Sequence, residues 1–269
     1  MVKPNKMDEN SKILEVAKEA AKKGGEILLR YFGEDIQFDK KEDASFVSIA
    51  DKESESVIKE IILRNFPQHR IIGEESGITG TGEVSWHIDP LDGTSNFKEG
   101  IPFFCVSIGI EKNREFIIGV VYNPLTNELY SALKDYGTFL NGKRIIVNQK
   151  KINDGIVIID ASFKEPLGQI KIKLQEEIIS LTQRLRIIGS CALQLAGISR
   201  GTFISSISDN IKSYDFAAGV VLVREAGGIV TDQFGNKLTP ESKVVIASNN
   251  IENHKNIIKI VRELYAEYK

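Results

Sequence analysis

The chain has 269 residues, of which 42% are hydrophobic and 27% are charged, so it can bury a large core. Its formal charge of −2 gives no electrostatic reason to expect a nucleic-acid partner. Two cysteines are too few for a disulfide framework, and no apolar run is long enough for a membrane span. The first residues carry no apolar secretion signal, so we expect a cytoplasmic protein with no membrane partner.

The N-terminal half combines two helices with a series of strands. Apolar residues recur at helical spacing over residues 13–31 and again over residues 57–62, and the second helix stops before Pro67. Extended patterns predict strands at 70–72, 85–89, 103–111, 115–122 and 128–133. Short turns between the last three favour an antiparallel meander, and Asn141-Gly142 indicates a further hairpin.

From about residue 150 the pattern changes to alternating strands and helices. We predict strands at 156–159, 185–188, 202–204, 229–231 and 244–247, and helices at 167–182, 191–199, 214–226 and 253–268. Helices on an antiparallel sheet, followed by an alternating half, indicate a layered α/β architecture. We expect an N-terminal α+β subdomain at 1–150 with most of the metal ligands, and a C-terminal α/β subdomain at 151–269.

Two carboxylates lie close together in the segment Asp89-Pro90-Leu91-Asp92-Gly93-Thr94, at the end of a predicted strand. Carboxylate oxygens suit a hard cation such as Mg²⁺, which takes few protein ligands and completes its shell with phosphate oxygens. The Gly93-Thr94 step, read as the start of a helix, leaves backbone N–H groups free to hold an anion. Metal ligands beside a phosphate-binding turn indicate a metal-dependent phosphatase site.

Three further places supply acids that are expected to converge on this segment. Glu74-Glu75 follow a short strand, Asp215 begins an apolar helix, and Asp51 lies in the first turn of the second helix. Each has a structural alternative. Ser48-x-x-Asp51 resembles a capping box, Asp is favoured at any helix start, and two adjacent Glu suit a solvated turn. The complete ordered set is harder to explain by turns and caps.

These motifs resemble the signatures of the inositol monophosphatase family, which also includes fructose-1,6-bisphosphatases and 3′-nucleotide phosphatases. The matching segments are Gly73-Glu74-Glu75-Ser76, residues 89–97, Tyr214-Asp215-x-Ala217-Ala218-Gly219 and Glu225-Ala226-Gly227-Gly228. They occur in the family's order along nearly the whole chain. The resemblance implies a five-layer α-β-α-β-α sandwich of the inositol monophosphatase and fructose-1,6-bisphosphatase type, and a homodimer or homotetramer.

The resemblance also implies a set of metal ligands. Glu74, Asp89 and the Leu91 carbonyl would hold one Mg²⁺, and Asp89, Asp92 and Asp215 would hold a second. A third, weaker ion would lie near Glu74 with mostly water ligands, and Mn²⁺ is an alternative metal. Two adjacent metals can stabilise both the attacking and the leaving oxygen of an in-line displacement. Because so many carboxylates repel one another, we expect a looser site without metal.

Asp51, Thr94 and Glu74 match the family's catalytic set. Thr94 would accept a proton from the metal-activated water while its own hydroxyl donates to Asp51. The N–H groups of Gly93 and Thr94 are expected to hold the phosphate at a helix N-terminus. Lys40 lies in a polar segment that matches the family's mobile metal-binding loop, and an ordinary exposed lysine is the alternative.

The residues around the alcohol part of the substrate are less clearly defined. By resemblance, the substrate-contacting residues include Asp92, Gly189, Ser190 and Cys191. Inositol-selective relatives carry a Glu where this chain has Ser208, and Asp209 is a partial substitute. A second phosphate would require cations, and we expect Arg200 and Lys212 to reach it.

The leading prediction is hydrolysis of both fructose 1,6-bisphosphate and inositol 1-phosphate, as in archaeal and bacterial members of the family. Preference for the sugar bisphosphate would place the enzyme in gluconeogenesis. Phosphatases of 3′-phosphoadenosine 5′-phosphate are one alternative, although they commonly continue Lys-Glu-Phe where this chain has Ser95-Asn96-Phe97. A non-catalytic RNA- or protein-binding regulator on the same scaffold is another. The intact acids argue against lost catalysis, and the balanced charge argues against RNA.

Overall fold

Helices and sheets alternate in five layers. The computed structural model describes residues 8–41, 46–160, 168–182 and 184–265. One pair of helices covers an eight-stranded sheet, a second pair lies between that sheet and a five-stranded sheet, and a third pair covers the far side. The predicted α-β-α-β-α sandwich, a layered α/β fold, is confirmed.

The first layer is built by the two N-terminal helices. Its elements and the strand pair between them are α1 (Glu9–Tyr31), β1 (Phe38–Lys40), β2 (Phe46–Ser48) and α2 (Ile49–Asn65). Apolar side chains at helical spacing bury one face of each helix against the eight-stranded sheet. Asp8 caps α1 by accepting from the Ser11 N–H at 2.6 Å, and α2 ends two residues before Pro67.

Consecutive segments of chain form the eight-stranded sheet. Its strands, with one short helix among them, are β3 (Arg70–Gly73), β4 (Gly77–Thr79), β5 (Val84–Asp92), α3 (Thr94–Lys98), β6 (Cys105–Lys112), β7 (Glu115–Asn123), β8 (Glu128–Leu133), β9 (Gly137–Leu140) and β10 (Lys143–Ile145). The spatial order is β10-β9-β8-β7-β6-β5-β3-β4, and only β3 and β5 pair in parallel. The predicted meander is confirmed. Asn141 and Gly142 join β9 to β10 with positive φ at both residues.

Residues after about 150, as far as they are described, form the five-stranded sheet and four α-helices. In chain order these are β11 (Val157–Ile159), α4 (Gly168–Leu181), β12 (Leu185–Arg186), α5 (Cys191–Ser199), β13 (Ser205–Asp209), α6 (Ser213–Glu225), β14 (Ile229–Thr231), β15 (Val244–Ser248) and α7 (Ile251–Tyr265). The spatial order is β12-β11-β13-β15-β14, parallel around β11 and antiparallel around β15. The two sheets use separate parts of the chain, and the division into subdomains near residue 150 stays a prediction.

Helix α6 packs unusually close to the eight-stranded sheet because two facing strand positions lack side chains. Gly109 of β6 pairs with Gly119 of β7. A Cβ at Gly109 would meet Ala217 Cβ at 2.4 Å, and one at Gly119 would meet the Ala218 carbonyl oxygen at 2.2 Å. Helix α6, whose first turn carries Asp215, is thereby held against β6 and β7, and it also contacts β5, which carries Asp89 and Asp92.

Some predicted elements differ from the structure. The strand expected at 202–204 begins at Ser205 instead, because the preceding residues form the turn after α5 and Gly201 has a φ of 78°. The strand expected at 185–188 ends at Arg186, and β1, β2 and β4 lie in segments for which no strand is predicted. Position 167 and positions 266–268 of the predicted helices lie outside the described residues. Among the helices described, none is long and apolar enough to cross a membrane.

Candidate active site

Asp89 and Asp92 lie at the end of β5, where the strand leaves its regular pairing with β6. Asp89 pairs with Ser107 and Asp92 with Cys105, so β5 carries one extra residue over this interval. Residues three apart on a regular strand point to opposite faces, and a bulge changes that alternation. The Leu91 N–H donates to Asp89 Oδ1 at 3.0 Å and holds the bulge. The irregularity brings two carboxylates of one strand into one site.

The Asp92 carboxylate is bound by the first turn of α5. Ser190 Oγ donates to Asp92 Oδ2 at 2.5 Å, the Ala192 N–H donates to the same oxygen at 2.7 Å, and the Cys191 N–H donates to Oδ1 at 3.1 Å. The buried Cys105 thiol also points at Asp92, at 3.6 Å. Burial raises the pKa of Asp92 to about 6, although the bonds from Ser190 and Ala192 lower it. The predicted Ser190-Cys191 segment thus contacts an acid of the site directly.

Asp215 is the third residue of α6, and it closes that helix's N-terminus. The Lys212 N–H donates to Asp215 Oδ2 at 2.6 Å, so the capping alternative is realised. Burial raises the pKa of Asp215 well above its usual range, and the charges of Glu74 and Asp92 add to this effect. His87 fixes the same helix start, with Nδ1 2.8 Å from Ser213 Oγ. Asp215 therefore caps its helix and also faces the other acids.

Glu74 follows β3 and is paired with Lys41, which no local sequence pattern singles out. Lys41 Nζ lies 2.8 Å from Glu74 Oε1 and 2.6 Å from Glu75 Oε1. Burial lowers the pKa of Lys41, but the negative charges of Glu74 and Glu75 outweigh burial and raise it overall. Lys41 is therefore a charged side chain bound to one of the predicted metal ligands.

The turn that presents Glu74 is held from α2 by a buried acid, Glu55. Its carboxylate accepts from the Glu75 N–H at 2.8 Å and from the Ser76 N–H at 2.9 Å. The Glu74 N–H donates to the Ile88 carbonyl of β5 at 3.1 Å. These bonds place Glu74 beside the end of β5. Glu55 was not anticipated, because its position on α2 reads as an ordinary polar helix residue.

Asp51 is fully buried and uses only one of its carboxylate oxygens. Ser48 donates to Asp51 Oδ2 twice, from its N–H at 2.8 Å and from its Oγ at 2.6 Å. Asp51 Oδ1 has no hydrogen-bond partner among the described residues. Burial raises the pKa of Asp51 to about 6, which the Ser48 bonds oppose. The capping box predicted as an alternative exists, and it leaves one buried oxygen available.

Thr94 does not make the predicted bond to Asp51. Its Oγ1 donates instead to the Leu91 carbonyl at 3.0 Å, because that carbonyl lies one turn back in the same loop. Gly93 has a φ of 99°, which only glycine adopts readily, and directly precedes α3. The helix start expected at Gly93 and Thr94 is present, although α3 has only five residues. Phosphate binding by these two N–H groups stays a prediction.

The acids affect one another's pKa values, but their side chains are not arranged as a complete set of metal ligands in the described part of the chain. Burial raises the pKa of Asp89 well above its usual range, and the charges of Glu74, Asp92 and Asp215 raise it further. Within the described ranges, no three His, Cys, Asp or Glu side chains are close enough to ligate one ion as they stand. The donors are all hard oxygens, and Asp51 Oδ1 lacks a partner. The residues therefore supply the oxygen ligands that Mg²⁺ prefers.

Arg200 lies at the end of α5 that is remote from Asp92. Arg200 Nη1 donates to Glu128 Oε1 at 2.6 Å and to the Tyr130 hydroxyl at 2.8 Å. Eight residues of helix separate Arg200 from Ala192, a distance of about 12 Å. Helix α5 carries Arg200 away from the acids and Glu128 binds it there, so the contact of Arg200 with substrate stays a prediction that this geometry does not support.

Three other predicted residues, Lys212, Gly189 and Lys40, differ in their contacts with the site. Lys212 directly precedes α6. Its backbone N–H donates to Asp215, and its side chain is exposed. Gly189 has a φ of 68°, and its carbonyl accepts from the Asn96 amide at 3.3 Å. Lys40 is exposed at the end of β1, whereas its neighbour Lys41 makes the contacts with the acids.

Asp209 belongs to the opposite face of its strand and does not substitute for a substrate-binding Glu. Lys171 Nζ lies 2.6 Å from Asp209 Oδ1, and the Tyr265 hydroxyl donates to Oδ2. The Lys171 and Asp209 side chains are only 3% and 4% exposed. Because side chains alternate along β13, Ser208 points the other way, toward α5.

Comparison with known proteins agrees with this geometry. The model of the inositol monophosphatase family matches residues 9–266. An Aquifex aeolicus protein named fructose-1,6-bisphosphatase/inositol-1-monophosphatase is 39% identical over 230 residues, which cover 84% of this chain and 87% of that protein. The solved Thermotoga maritima IMPase has a TM-score of 0.87 at 33% identity, covering 95% of this chain and 99% of its own. The extragenic suppressor protein suhB of Bartonella henselae has a TM-score of 0.87 at 34% identity, covering 94% and 98%.

This chain therefore belongs to the inositol monophosphatase family. The family and the names of its relatives identify the protein as a phosphatase, a hydrolase of phosphoric monoesters. The family is generally metal-dependent, which agrees with the oxygen-rich donor set. The acids that the sequence placed at 74, 89, 92 and 215 are brought within electrostatic reach of one another.

Proposed function

We propose that this protein is a Mg²⁺-dependent phosphatase that hydrolyses fructose 1,6-bisphosphate and inositol 1-phosphate. The observation that carries the proposal is that Asp89, Asp92 and Asp215 are buried near enough for their charges to affect one another, while the bonds from Leu91, Ser190 and Lys212 come from uncharged N–H and O–H groups. The charges of the other two raise the pKa of Asp89, so the group repels itself. A bound divalent cation offsets that repulsion with the oxygen ligands it prefers.

The candidate Mg²⁺ ligands are Glu74, Asp89, the Leu91 carbonyl, Asp92 and Asp215, for two or three ions per site, with Mn²⁺ as an alternative. When bound, the metal supplies positive charge that activates a water molecule and stabilises the phosphate in the transition state. The chain's own contribution is to orient the acids.

Backbone and hydroxyl donors hold each acid at a set angle. Ser190 and Ala192 hold Asp92, and the Lys212 N–H holds Asp215. In each case the donor lies in or next to the first turn of a helix, so a rigid element sets the position of the carboxylate. A bound metal ion would therefore meet acids whose rotamers are already restricted.

Two features of Asp51 support a role as the proton acceptor. Ser48 occupies its Oδ2 and leaves Oδ1 as the acceptor, buried and without a partner among the described residues. A pKa of about 6 is close to the range in which a general base works at neutral pH. Thr94 can join this proton path only by turning its hydroxyl away from the Leu91 carbonyl.

Two observations support the substrate proposal. The Aquifex aeolicus relative is named for both activities. Lys212, exposed beside Asp215, is the cation best placed among the expected residues to meet a second phosphate, since Arg200 is engaged elsewhere. Preference for the sugar bisphosphate would make gluconeogenesis the setting.

A regulatory role is the second candidate, because the Bartonella henselae relative is named an extragenic suppressor protein, suhB. The formal charge of −2 and the retained acids favour catalysis on a small phosphate ester without a nucleic-acid partner. We further propose a cytoplasmic homodimer or homotetramer. Light scattering at two protein concentrations would test the assembly.

The test is phosphate release from fructose 1,6-bisphosphate, inositol 1-phosphate and 3′-phosphoadenosine 5′-phosphate, compared as kcat/KM with Mg²⁺. We expect both carbohydrate esters to exceed the nucleotide. Asp92→Asn is the matched control, since it keeps the shape of the side chain and removes its charge, and it should be inactive on all three. A preference for the nucleotide would overturn the substrate proposal, and an Asp92→Asn variant with near-normal activity would overturn the site.

A further inference from the structure

Three polar side chains connect the eight-stranded sheet to the first turn of α6. Glu111 Oε2 of β6 lies 3.0 Å from His87 Nε2 of β5, and His87 Nδ1 lies 2.8 Å from Ser213 Oγ. Ser213 is the first residue of α6, the helix that carries Asp215. These three residues are called the Glu111–His87–Ser213 chain.

The two ring nitrogens of His87 have different partners, which sets the direction of the hydrogen bonds. A carboxylate only accepts, so Nε2 carries the proton that is donated to Glu111. In the neutral ring Nδ1 is then the acceptor, and the Ser213 hydroxyl donates to it. His87 is fully buried, and the Phe116 ring lies edge-on to it with 5.5 Å between the ring centroids. The imidazole therefore binds Ser213 from a fixed orientation.

His87 lies on the face of the sheet that also carries the candidate metal ligand Asp89. Side chains two residues apart on a strand point the same way, so His87 and Asp89 share one face of β5. Their partners on β6 are Gly109 and Ser107. A Cβ at Gly109 would meet α6 at 2.4 Å, and Ser107 Oγ donates to a carbonyl in the first turn of α6 at 3.3 Å. The start of α6 is thus bound to the face of β5 and β6 that carries Asp89.

The polar groups are not needed for packing alone. Burial removes an imidazole and a carboxylate from water, and well-packed apolar side chains often replace such a pair without loss of stability. Among the described residues Glu111 has no ion pair besides the one with His87, and its side chain is only 13% exposed. Hydrogen bonds restrict the position of the Ser213 backbone more narrowly than apolar contacts do. Orientation is therefore what the Glu111–His87–Ser213 chain adds to packing.

The position of Ser213 determines where the Asp215 carboxylate lies. Ser213 is two residues before Asp215, in the same helical turn. The Lys212 N–H, which donates to Asp215 Oδ2 at 2.6 Å, belongs to the residue directly before Ser213. A shift of this turn would move both the carboxylate and the group that binds it.

We propose that the Glu111–His87–Ser213 chain fixes the first turn of α6, and thereby holds the Asp215 carboxylate where it completes the Mg²⁺ site. Its members are positioning residues. Groups that orient a metal ligand directly change metal affinity or activity about 10- to 100-fold when they are removed. This chain acts through the backbone between Ser213 and Asp215, so we expect a smaller effect of about 3- to 10-fold. The inference rests on the proposed Mg²⁺-dependent activity and adds residues that set the affinity for the metal.

The test is calorimetric titration of Mg²⁺ into the wild type and Ser213→Ala, which lacks the hydroxyl that binds His87. We expect Mg²⁺ to bind the variant about 3- to 10-fold more weakly. Ser248→Ala is the matched control, because it removes another buried serine hydroxyl, which lies 3.2 Å from His254 Nδ1 in the five-stranded sheet. Both variants should lose thermal stability, and only Ser213→Ala should lose Mg²⁺ affinity. Unchanged Mg²⁺ binding by Ser213→Ala, or equal losses of affinity in the two variants, would overturn the proposal.

Two substitutions of His87 separate the bond to Ser213 from the volume of the ring. His87→Asn keeps a polar atom at the place of Nδ1, whereas His87→Leu fills the space and bonds neither neighbour. We expect His87→Leu to bind Mg²⁺ as weakly as Ser213→Ala does, and His87→Asn to bind it more tightly than His87→Leu. Circular dichroism shows that each variant is folded. His87→Asn that binds Mg²⁺ no better than His87→Leu would contradict a positioning role.

Binding and turnover together distinguish this inference from the proposed function. A wild type that binds Mg²⁺ but releases no phosphate from inositol 1-phosphate, with weaker binding by Ser213→Ala, would overturn the proposed phosphatase activity and keep the positioning role. A wild type that binds no Mg²⁺ would overturn both.

Discussion

Replacing Lys41 should strengthen Mg²⁺ binding, because its ammonium group and the metal compete for the same carboxylate. Lys41 Nζ lies 2.8 Å from Glu74 Oε1, and the two side chains are 23% and 16% exposed. Two cations cannot share one carboxylate oxygen without strong repulsion. Mg²⁺ that uses Glu74 must first displace Lys41.

The size of the effect follows from the contact that is lost. A hydrogen bond between charged groups contributes about 1.5–3 kcal/mol when well shielded, and partial exposure reduces this value. Glu75, whose Oε1 lies 2.6 Å from Lys41 Nζ, retains the lysine after displacement and reduces the cost again. A cost of about 1–2 kcal/mol remains, so Lys41→Met should bind Mg²⁺ about 5- to 30-fold more tightly.

Isothermal titration calorimetry of Mg²⁺ into the wild type and Lys41→Met measures this change directly. Lys40→Met is the matched control, since it removes the same charge one residue away from an exposed position. The control should change the affinity by less than about 2-fold, which isolates the contact from the general loss of positive charge. Equal or weaker Mg²⁺ binding by Lys41→Met would refute the competition.

Three further predictions concern pH, a buried ion pair and helix packing. In the metal-free protein burial raises the pKa of Asp92 to about 6 and those of Asp89 and Asp215 well above their usual range, so Mg²⁺ must displace protons to bind; its affinity should rise with pH by at least about tenfold per unit between pH 5 and 6. A flat calorimetric profile from pH 5 to 7 would contradict this. Asp209→Asn leaves Lys171 buried without a counter-charge, so the free energy of unfolding in urea should fall by about 3–5 kcal/mol while kcat/KM of the folded protein is kept. A loss below about 1 kcal/mol would show that the pair is not buried as described. Gly119→Ala forces a methyl group against the Ala218 carbonyl and should cost at least about 1–3 kcal/mol of unfolding free energy, and a neutral result would show that α6 packs less closely.

The elements that could be predicted from the sequence are those with a strong local pattern. The β6–β8 meander has clear turns, Asn141-Gly142 adopts the positive φ values its residue types favour, and α5 was placed at its observed ends. β13 was misplaced because it contains Ser206, Ser208 and Asp209, whose buried side chains break the hydrophobic alternation. Ser206 is bonded to Gln194 of α5, and Asp209 pairs with Lys171 of α4, so the partners of these polar residues lie on other elements.

In the site, too, residues with a strong local pattern could be predicted and the others could not. Asp89, Asp92 and Asp215 stand in recognisable motifs, and the structure brings them together. Lys41 and Glu74 are 33 residues apart, and nothing near Lys41 in sequence marks the contact. Asp160 is a single acid after a short strand, and its effect on the pKa of Asp92 and Asp215 has no mark in the sequence around it. Pairings between distant elements decide these positions, so a local pattern does not reveal them.

The central claim is that the acids of β3, β5 and α6 bind Mg²⁺ for phosphate ester hydrolysis. The most direct measurement is the Mg²⁺ dependence of phosphate release from inositol 1-phosphate by the wild type and by Asp215→Asn, with circular dichroism to show that both are folded. We expect saturable activation of the wild type, its complete loss on chelation, and a loss of at least about 100-fold in Asp215→Asn. Phosphate release that persists in chelator, or near-normal turnover by Asp215→Asn, would contradict the claim.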